Sequence, residues 1–198
     1  MAYPTLSGPY GMVPVNLVGG QVFAGATRQI PITTASGTNI FFGDVVKLNS
    51  SGTLDKDVGT DAATPVGVFL GCSYTDATYG KTFRQYFPAS TAADDIMAYV
   101  CDDPDALFKV AVVTTTGTTI SYVARTAVGN NAVIVQTAGS TVTGNSKNAL
   151  NSTTATTSTW PVKIVDVVSE TQSAVGSYTE VIVKWNAGMH QYNNASGV

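Results

Sequence analysis

The segment from residue 40 to residue 72 constrains the fold most, because it holds two β-strand patterns around a turn signal. Its first run, Ile-Phe-Phe-Gly-Asp-Val-Val-Lys-Leu at 40–48, is rich in β-branched and aromatic residues, which suit a pleated, half-buried surface. Asn-Ser-Ser-Gly at 49–52 supplies the short polar side chains and permissive backbone of a tight reversal. The alternating apolar residues of the second run are expected on one strand face: Val66, Val68, Leu70 and Cys72. The two runs predict the nucleus of an antiparallel β-barrel or sandwich.

Gly67 and Gly71 interrupt the second run on the opposite face, on either side of Phe69. Glycine inside a strand marks a bend or a place where another chain segment passes close to the backbone. We therefore expect this strand to be bent or crowded at its glycines.

Strand patterns recur through the rest of the chain without a convincing helix. Clear examples lie at 107–113, 161–168 and 180–185, separated by turns. This spacing predicts an all-β fold, an antiparallel β-barrel or sandwich, formed by a single domain over residues 39–198. A long polar stretch near 137–160 is interpreted as a loop or as two short strands.

Residues 1–38 are predicted to form an extended arm and edge strand, rich in Pro and Gly with interleaved apolar residues. Prolines hold a chain extended and remove donors from a strand ladder. Two interpretations stay open: the arm lies on the chain's own barrel, or it drapes over a neighbouring subunit. The candidate contact residues in the arm are Tyr3, Pro4, Pro9, Tyr10, Val13 and Pro14.

Charge is scarce in this 198-residue chain, since 12% of its residues are charged, about half the usual share. The formal net charge is -3 and the basic residues are scattered singly, so no nucleic-acid partner is expected. No apolar run approaches the roughly 20 residues of a membrane helix, and the N-terminus lacks the pattern of a signal peptide. We expect synthesis in a cytoplasm, no membrane partner, and a surface suited to permanent protein contacts.

Two further segments, at 74–87 and 94–105, are candidates for contact with a partner. The first alternates aromatic and polar residues, which suits either a core strand or an exposed aromatic patch. The second holds five aspartates, interpreted as a solvated turn, as salt-bridge partners for a neighbouring subunit, or as a metal site that lacks the EF-hand spacing. The candidate contact residues are Tyr74 and Tyr79 in the first segment and Asp102, Asp103 and Asp105 in the second.

The usual parts of an active site are missing from the sequence. His190 is the only histidine, and neither a Gly-x-Ser-x-Gly elbow nor a glycine-rich phosphate loop occurs. One histidine without further ligands at the right spacing does not make a zinc site, so we expect His190 to be a tail or surface histidine. Cys72 and Cys101 are interpreted as small buried hydrophobes rather than as a disulfide or a metal pair. We predict no enzymatic activity, no cofactor and no metal.

An ordered set of short motifs spans nearly the whole chain. It comprises Pro9-Tyr10-Gly11, Gly19-Gly20-Gln21-Val22-Phe23, Gly43-Asp44-Val45-Val46-Lys47-Leu48, Pro65-Val66-Gly67-Val68-Phe69-Leu70-Gly71-Cys72, Asp102-Asp103-Pro104-Asp105, Gly144-Asn145-Ser146 and Val181-Ile182-Val183-Lys184-Trp185-Asn186. In this order the motifs resemble a family of tailed-bacteriophage virion structural proteins, the head decoration or cement proteins of marine and aquatic phages.

The resemblance implies a protein without catalytic residues that binds the outer surface of the phage head and stabilises contacts between capsomers. The implied partners are the major capsid protein and further copies of this chain, in a trimer at local three-folds or a dimer at two-folds. The implied location is the virion surface, after synthesis in the host bacterial cytoplasm. Two alternatives stay open: a receptor- or glycan-binding head-surface or fibre protein, and a tail or neck component.

Overall fold

The computed structural model describes residues 6–115, 117–172 and 176–197 and has an all-β fold. Within these ranges the strands are β1 (Val13–Leu17), β2 (Arg28–Pro31), β3 (Val45–Leu48), β4 (Leu54–Lys56), β5 (Gly67–Asp76), β6 (Gly80–Arg84), β7 (Met97–Cys101), β8 (Ala106–Val113), β9 (Val123–Ala124), β10 (Asn131–Val135), β11 (Ala149–Ala155), β12 (Val162–Val167), β13 (Ser177–Tyr178) and β14 (Glu180–Trp185). Single turns of 3₁₀ helix occur at Arg125–Ala127, Ser169–Thr171 and Gln191–Asn193. None of the helical turns in these ranges is long and apolar enough to cross a bilayer.

A closed barrel of five strands forms the larger core. Its strands follow the order β8–β11–β10–β12–β14 and close through the pairing of β14 with β8. The β11–β8 pair is parallel and the other pairs are antiparallel. Inward side chains such as Phe108, Ile164 and Val183 fill the interior as one buried cluster. The prediction of an all-β barrel or sandwich is confirmed.

A second sheet encloses a separate core. Its strands follow the order β2–β7–β5–β3–β4, and β6 also pairs with β5. Because β3 pairs only with Gly67 and Val68 of β5, the same edge of β5 is free further along the strand, where β6 pairs with it. Ile30, Phe69 and Ala98 lie in the buried cluster of this sheet. Strands β9 and β13 form a small separate sheet.

The predicted nucleus of β3 and β5 is present, with one strand added between them. After β3 the chain reverses into β4, and β5 then pairs along the other edge of β3. Asn49 holds the reversal, because its Oδ1 accepts hydrogen bonds from the backbone N–H groups of Ser51 and Thr53. The tight turn read from the sequence is therefore found at the expected position.

The expected alternation along β5 is wrong, because the strand contains a bulge. Its pairing with β7 shifts register between Phe69 and Gly71, and such a shift turns the following side chains to the other face. Val68 and Leu70 pack with the barrel core. Cys72 lies instead in the core of the second sheet, together with Phe69.

Both glycines of β5 lie where the chain is crowded or bent, as expected. A Cβ atom on Gly67 would lie 2.2 Å from the carbonyl oxygen of Cys101 on β7. Gly71, at the bulge, has a φ of 141°, a conformation that side chains with a Cβ rarely adopt. Only glycine fits the first position, and glycine is strongly favoured at the second.

The described part of the arm lies on the barrel of the same chain. Strand β1 pairs antiparallel with β8. Just before it, the amide of Gly11 donates to the carbonyl of Asn148, and the amide of Met12 donates to the carbonyl of Gly43. Met12 is buried in the barrel core. Further along, β2 pairs in the second sheet, so the arm contributes a strand to each sheet.

The polar stretch near 137–160 contains a seven-residue strand, β11, where a loop or two short strands were expected. Its first residues, Ala149, Leu150 and Asn151, are buried. Because β11 pairs with β10 on one side and β8 on the other, it completes the barrel wall.

A buried carboxylate connects the barrel to the second sheet. Asp44 is fully buried, and its Oδ2 accepts from Lys56 Nζ at 2.8 Å and from the amide of Phe41 at 2.9 Å. Its Oδ1 accepts from the hydroxyl of Ser146, which precedes β11. Since Lys56 ends β4, this network joins the second sheet to the loop that enters the barrel.

The segment after β14, residues 186–193, returns to the second sheet and is called the C-terminal strap. The Gln191 side chain accepts from the amide of Leu48 at 2.7 Å and donates to the carbonyl of the same residue at 3.1 Å. The Tyr192 hydroxyl donates to Asp102 at 3.0 Å. The strap therefore fastens the end of the barrel to β3 and to the turn after β7.

Candidate protein interface

One row of side chains crosses four strands of the second sheet. Phe83 on β6 pairs with Ser73 on β5, and Ser73 pairs with Met97 on β7. Met97 pairs in turn with Pro31 on β2. Directly paired residues point to the same face of a sheet, and successive residues point to opposite faces. Because Ala98 lies in the core, the row that contains Met97 faces away from it.

The outer sheet face is the name used here for the surface of Pro31, Ser73, Phe83, Met97 and Tyr99. Phe83 is 70% exposed and Met97 is 37% exposed. Ser73 is buried beneath them and accepts a hydrogen bond from the Tyr99 hydroxyl at 3.2 Å. Phe83 and Met97 flank Ser73 on the same face, two strand spacings or about 10 Å apart. Exposed apolar side chains grouped on one face indicate a contact surface, whereas single ones need no explanation. The ladder pairings of β5 with β6 and β7 hold these side chains on one face.

A polar rim borders the outer sheet face. Asp95 accepts hydrogen bonds from the amide and the hydroxyl of Thr75. It also forms an ion pair with Lys81 at 2.9 Å. The bonds from Thr75, and then the one from Lys81, hold the pKa of Asp95 well below its usual range. The rim is therefore ionised but internally paired, as is common around an apolar interface centre.

The two aromatic residues predicted as contacts lie in different environments. Tyr74 is buried in the core of the second sheet, next to Arg84. Tyr79 is 78% exposed at the tip of the β5–β6 hairpin, where Asp76 accepts from its amide. The structure thus leaves Tyr79, but not Tyr74, accessible to a partner. Phe83, in the same hairpin, lies in the segment that was considered as an exposed aromatic patch, although it was not singled out as a contact residue.

Three of the predicted contact residues of the arm, Tyr10, Val13 and Pro14, contact the barrel of their own chain. Tyr10 donates from its hydroxyl to Glu180, and the Lys109 ammonium lies over its ring at 5.7 Å. Burial, and next the bond to Glu180, raises the pKa of Tyr10 far above its usual value. Val13 and Pro14 lie in β1, and Pro9 is half-buried. Tyr3 and Pro4 lie outside the described residues.

The predicted acidic turn has partners within the chain. Asp102 accepts from Arg28 and from the hydroxyl of Tyr192. Asp103 accepts from the amide of Asp105, whose carboxylate lies 3.8 Å from Lys184. Among the described residues no three His, Cys, Asp or Glu side chains are grouped for a metal ion. Asp103 therefore stabilises the turn, and Asp102 ties the turn to the C-terminal strap.

His190 lies in the tail after β14, one of the two expected placements, but its imidazole is buried and does not lie at the surface. His190 is 1% exposed and packs against Trp185 and Tyr192, with ring centroids 6.4 and 5.1 Å away. Its Nδ1 accepts from the amide of Tyr192 at 3.2 Å. Burial lowers its pKa, so the ring is neutral at neutral pH. The tail's return to the barrel end gave no local signal in the sequence.

The comparisons with known proteins add no relative. No protein-family model, no curated protein and no solved structure matches the chain. The function is therefore argued from the geometry of the outer sheet face, together with the motif resemblance.

Proposed function

We propose that this chain is a decoration, or cement, protein of a bacteriophage head, which binds the outer capsid surface and stabilises contacts between capsomers. The observation that carries the proposal is the outer sheet face, where Phe83 on β6 and Met97 on β7 are exposed on either side of β5. A surface already ordered before binding loses little conformational entropy when a partner covers it. The motif resemblance supplies the partner, the major capsid protein. The proposal assigns the chain no catalytic role, cofactor or metal.

The size of the face supports binding in several copies. Four strands at about 4.8 Å spacing span about 15 Å, so the face is smaller than the roughly 800 Å² that each partner buries in a standard interface. We therefore place the protein on the head as a trimer or a dimer at symmetry positions. Simultaneous engagement of several faces then converts modest single contacts into stable attachment.

The experiment uses phage heads assembled from the major capsid protein, the partner that the proposal names. Purified protein is added to expanded heads that lack it, and the particles are imaged by electron cryomicroscopy. The proposal predicts added density at regular positions on the outer shell, with the second sheet facing the capsid. Density confined to the neck or tail of complete virions, or no density on the heads, would contradict it.

A further inference from the structure

A groove of about 520 Å³ lies on the barrel, away from the residues of the outer sheet face. It forms because β12 pairs with β10 only at Asn131 and Ala132. Beyond that point the amide of Ile134 donates instead to the carbonyl of Thr60, in the loop after β4. The space left between this loop and the turn before β12 is the groove. Its volume is in the range of small-ligand sites.

Gln136 fixes one wall of the groove. Its Nε2 donates to the carbonyls of Asp57 at 2.9 Å and Gly59 at 3.0 Å, which holds the loop against the barrel. The buried Asp57 carboxylate stiffens the same loop by accepting from the amides of Gly59 and Thr64. The Oε1 atom of Gln136 is buried without a hydrogen-bond partner in the described structure. A buried acceptor of this kind is costly unless a donor reaches it.

The side chains that line the groove combine one aromatic ring with hydroxyl, amide and carboxylate groups. They include Thr60, Asp61, Gln136, Asn151 and Trp160. Trp160 is half-buried and therefore presents part of its indole, in contrast to Trp185, which is 2% exposed. Among the described lining residues none is Lys, Arg or His, so an anionic ligand finds no counter-charge.

We propose that this groove binds a neutral carbohydrate. The apolar C–H face of a pyranose ring packs on an indole, while its hydroxyls donate to carboxylate and amide oxygens and accept from amide N–H groups. Trp160 supplies the ring, Asp61 the carboxylate and Asn151 an amide. Gln136 can contribute only its Oε1 as an acceptor, because its N–H groups already donate to the loop carbonyls. A single aromatic ring does not make the cage that selects quaternary ammonium ligands. Carbohydrate binding in this groove is independent of the proposed capsid binding, because the groove lies on the barrel and the outer sheet face lies on the second sheet.

The test is saturation-transfer NMR on the full chain with cellotriose, maltotriose and chitotriose as probes, each at millimolar concentration. We expect transfer to at least one trisaccharide, and quenching or enhancement of tryptophan fluorescence on its addition. The variant Trp160→Phe retains a ring and the fold, and it should lose the fluorescence response, since Trp185 is the other tryptophan in the chain. Transfer to none of the three sugars overturns the proposal.

Two variants locate the binding. Asp61→Asn changes an exposed side chain and leaves the fold intact, and it should weaken binding about tenfold by removing a charged acceptor. Trp160→Ala should weaken binding by a similar or larger factor. Asp166→Asn, on the barrel surface with a 54% exposed side chain, is the matched control and should bind as the unmodified protein does. Sugar binding that survives both Asp61→Asn and Trp160→Ala lies elsewhere and contradicts the assignment.

Discussion

The Nζ atom of Lys56 lies 2.8 Å from Oδ2 of Asp44, a carboxylate that has no exposed surface. The Lys56 side chain is itself only 11% exposed. Such a pair contributes little net stability compared with apolar residues, but removing one partner leaves a buried charge without compensation. Because Asp44 also accepts from the hydroxyl of Ser146, in the loop that enters the barrel, loss of the carboxylate should affect the barrel as well as the second sheet.

Asp44→Asn should lower the free energy of unfolding by about 3–5 kcal/mol, since it leaves the Lys56 ammonium buried and unpaired. The double variant Asp44→Asn/Lys56→Met should recover part of this loss. Arg125→Gln, which breaks the exposed ion pair with Asp166, is the control and should cost less than about 1 kcal/mol. Urea denaturation of these four proteins, and of Lys56→Met alone to complete the double-mutant cycle, measures these values. Additive effects of the two buried substitutions would show that the pair is not coupled.

Gly67→Ala should lower the free energy of unfolding by about 3 kcal/mol or more, or prevent folding. The added Cβ would meet the Cys101 carbonyl at 2.2 Å, and neither backbone can move without breaking the β5–β7 ladder. Gly37→Ala is the matched control, because no atom lies within 4 Å of its added Cβ. Thermal unfolding of the two variants should therefore differ widely. Equal melting temperatures would contradict the close packing of β5 on β7.

Stability should fall as the pH is lowered from about 7 to about 5, because of His190. Burial lowers the pKa of the folded ring below its ordinary value of about 6.5, although the backbone at Val66 and the charges of Asp102 and Asp103 oppose the shift. As the pH drops through 6.5 the unfolded chain binds a proton that the folded chain does not, so unfolding is favoured.

His190→Gln serves as the comparison for this pH dependence, since Gln can still accept a hydrogen bond from the amide of Tyr192 and has no ionisable group. Its free energy of unfolding should vary less between pH 7 and pH 5 than that of the unmodified protein, which carries this single histidine. Denaturation at a series of pH values measures both. The same slope in both proteins would show that the ring is not the responsible group.

The two thiols should not react with Ellman's reagent in the folded protein at pH 8. Burial raises the pKa of Cys72 to about 12 and that of Cys101 to about 11, and both are free and buried. Reaction needs the exposed thiolate, so both thiols should be released only in denaturant. Rapid modification of either thiol without unfolding would contradict the packing of β5 against β7.

Features that depend on neighbouring residues could be predicted from the sequence. The turn at Asn49 needs only short polar side chains and a glycine, and the crowding at Gly67 follows from glycine inside a strand. The buried state of Cys101 follows from its apolar strand. The side of β5 on which Cys72 lies could not be predicted, because the bulge before it depends on how β7 pairs with β5.

Features that depend on pairing between distant segments were not predictable. The outer sheet face exists because Phe83 and Met97 both pair with Ser73, and no local pattern encodes that register. His190 is buried because the C-terminal strap returns to the second sheet through bonds such as Gln191 to Leu48. Strand register between distant segments therefore explains the outer sheet face, and the packing of the C-terminal strap on the second sheet explains the burial of His190.

The most direct test of the account is co-sedimentation of the protein with expanded heads that lack it, comparing Phe83→Asp with Tyr122→Asp. Tyr122 is 56% exposed and lies outside the outer sheet face, so its variant controls for the loss of an exposed aromatic residue. Near-ultraviolet circular dichroism checks that both variants fold. We predict saturable binding for the unmodified protein and for Tyr122→Asp, and binding at least about tenfold weaker for Phe83→Asp, since a charge would be buried at the contact. Equal binding of Phe83→Asp and the unmodified protein, or binding by neither, would contradict the account.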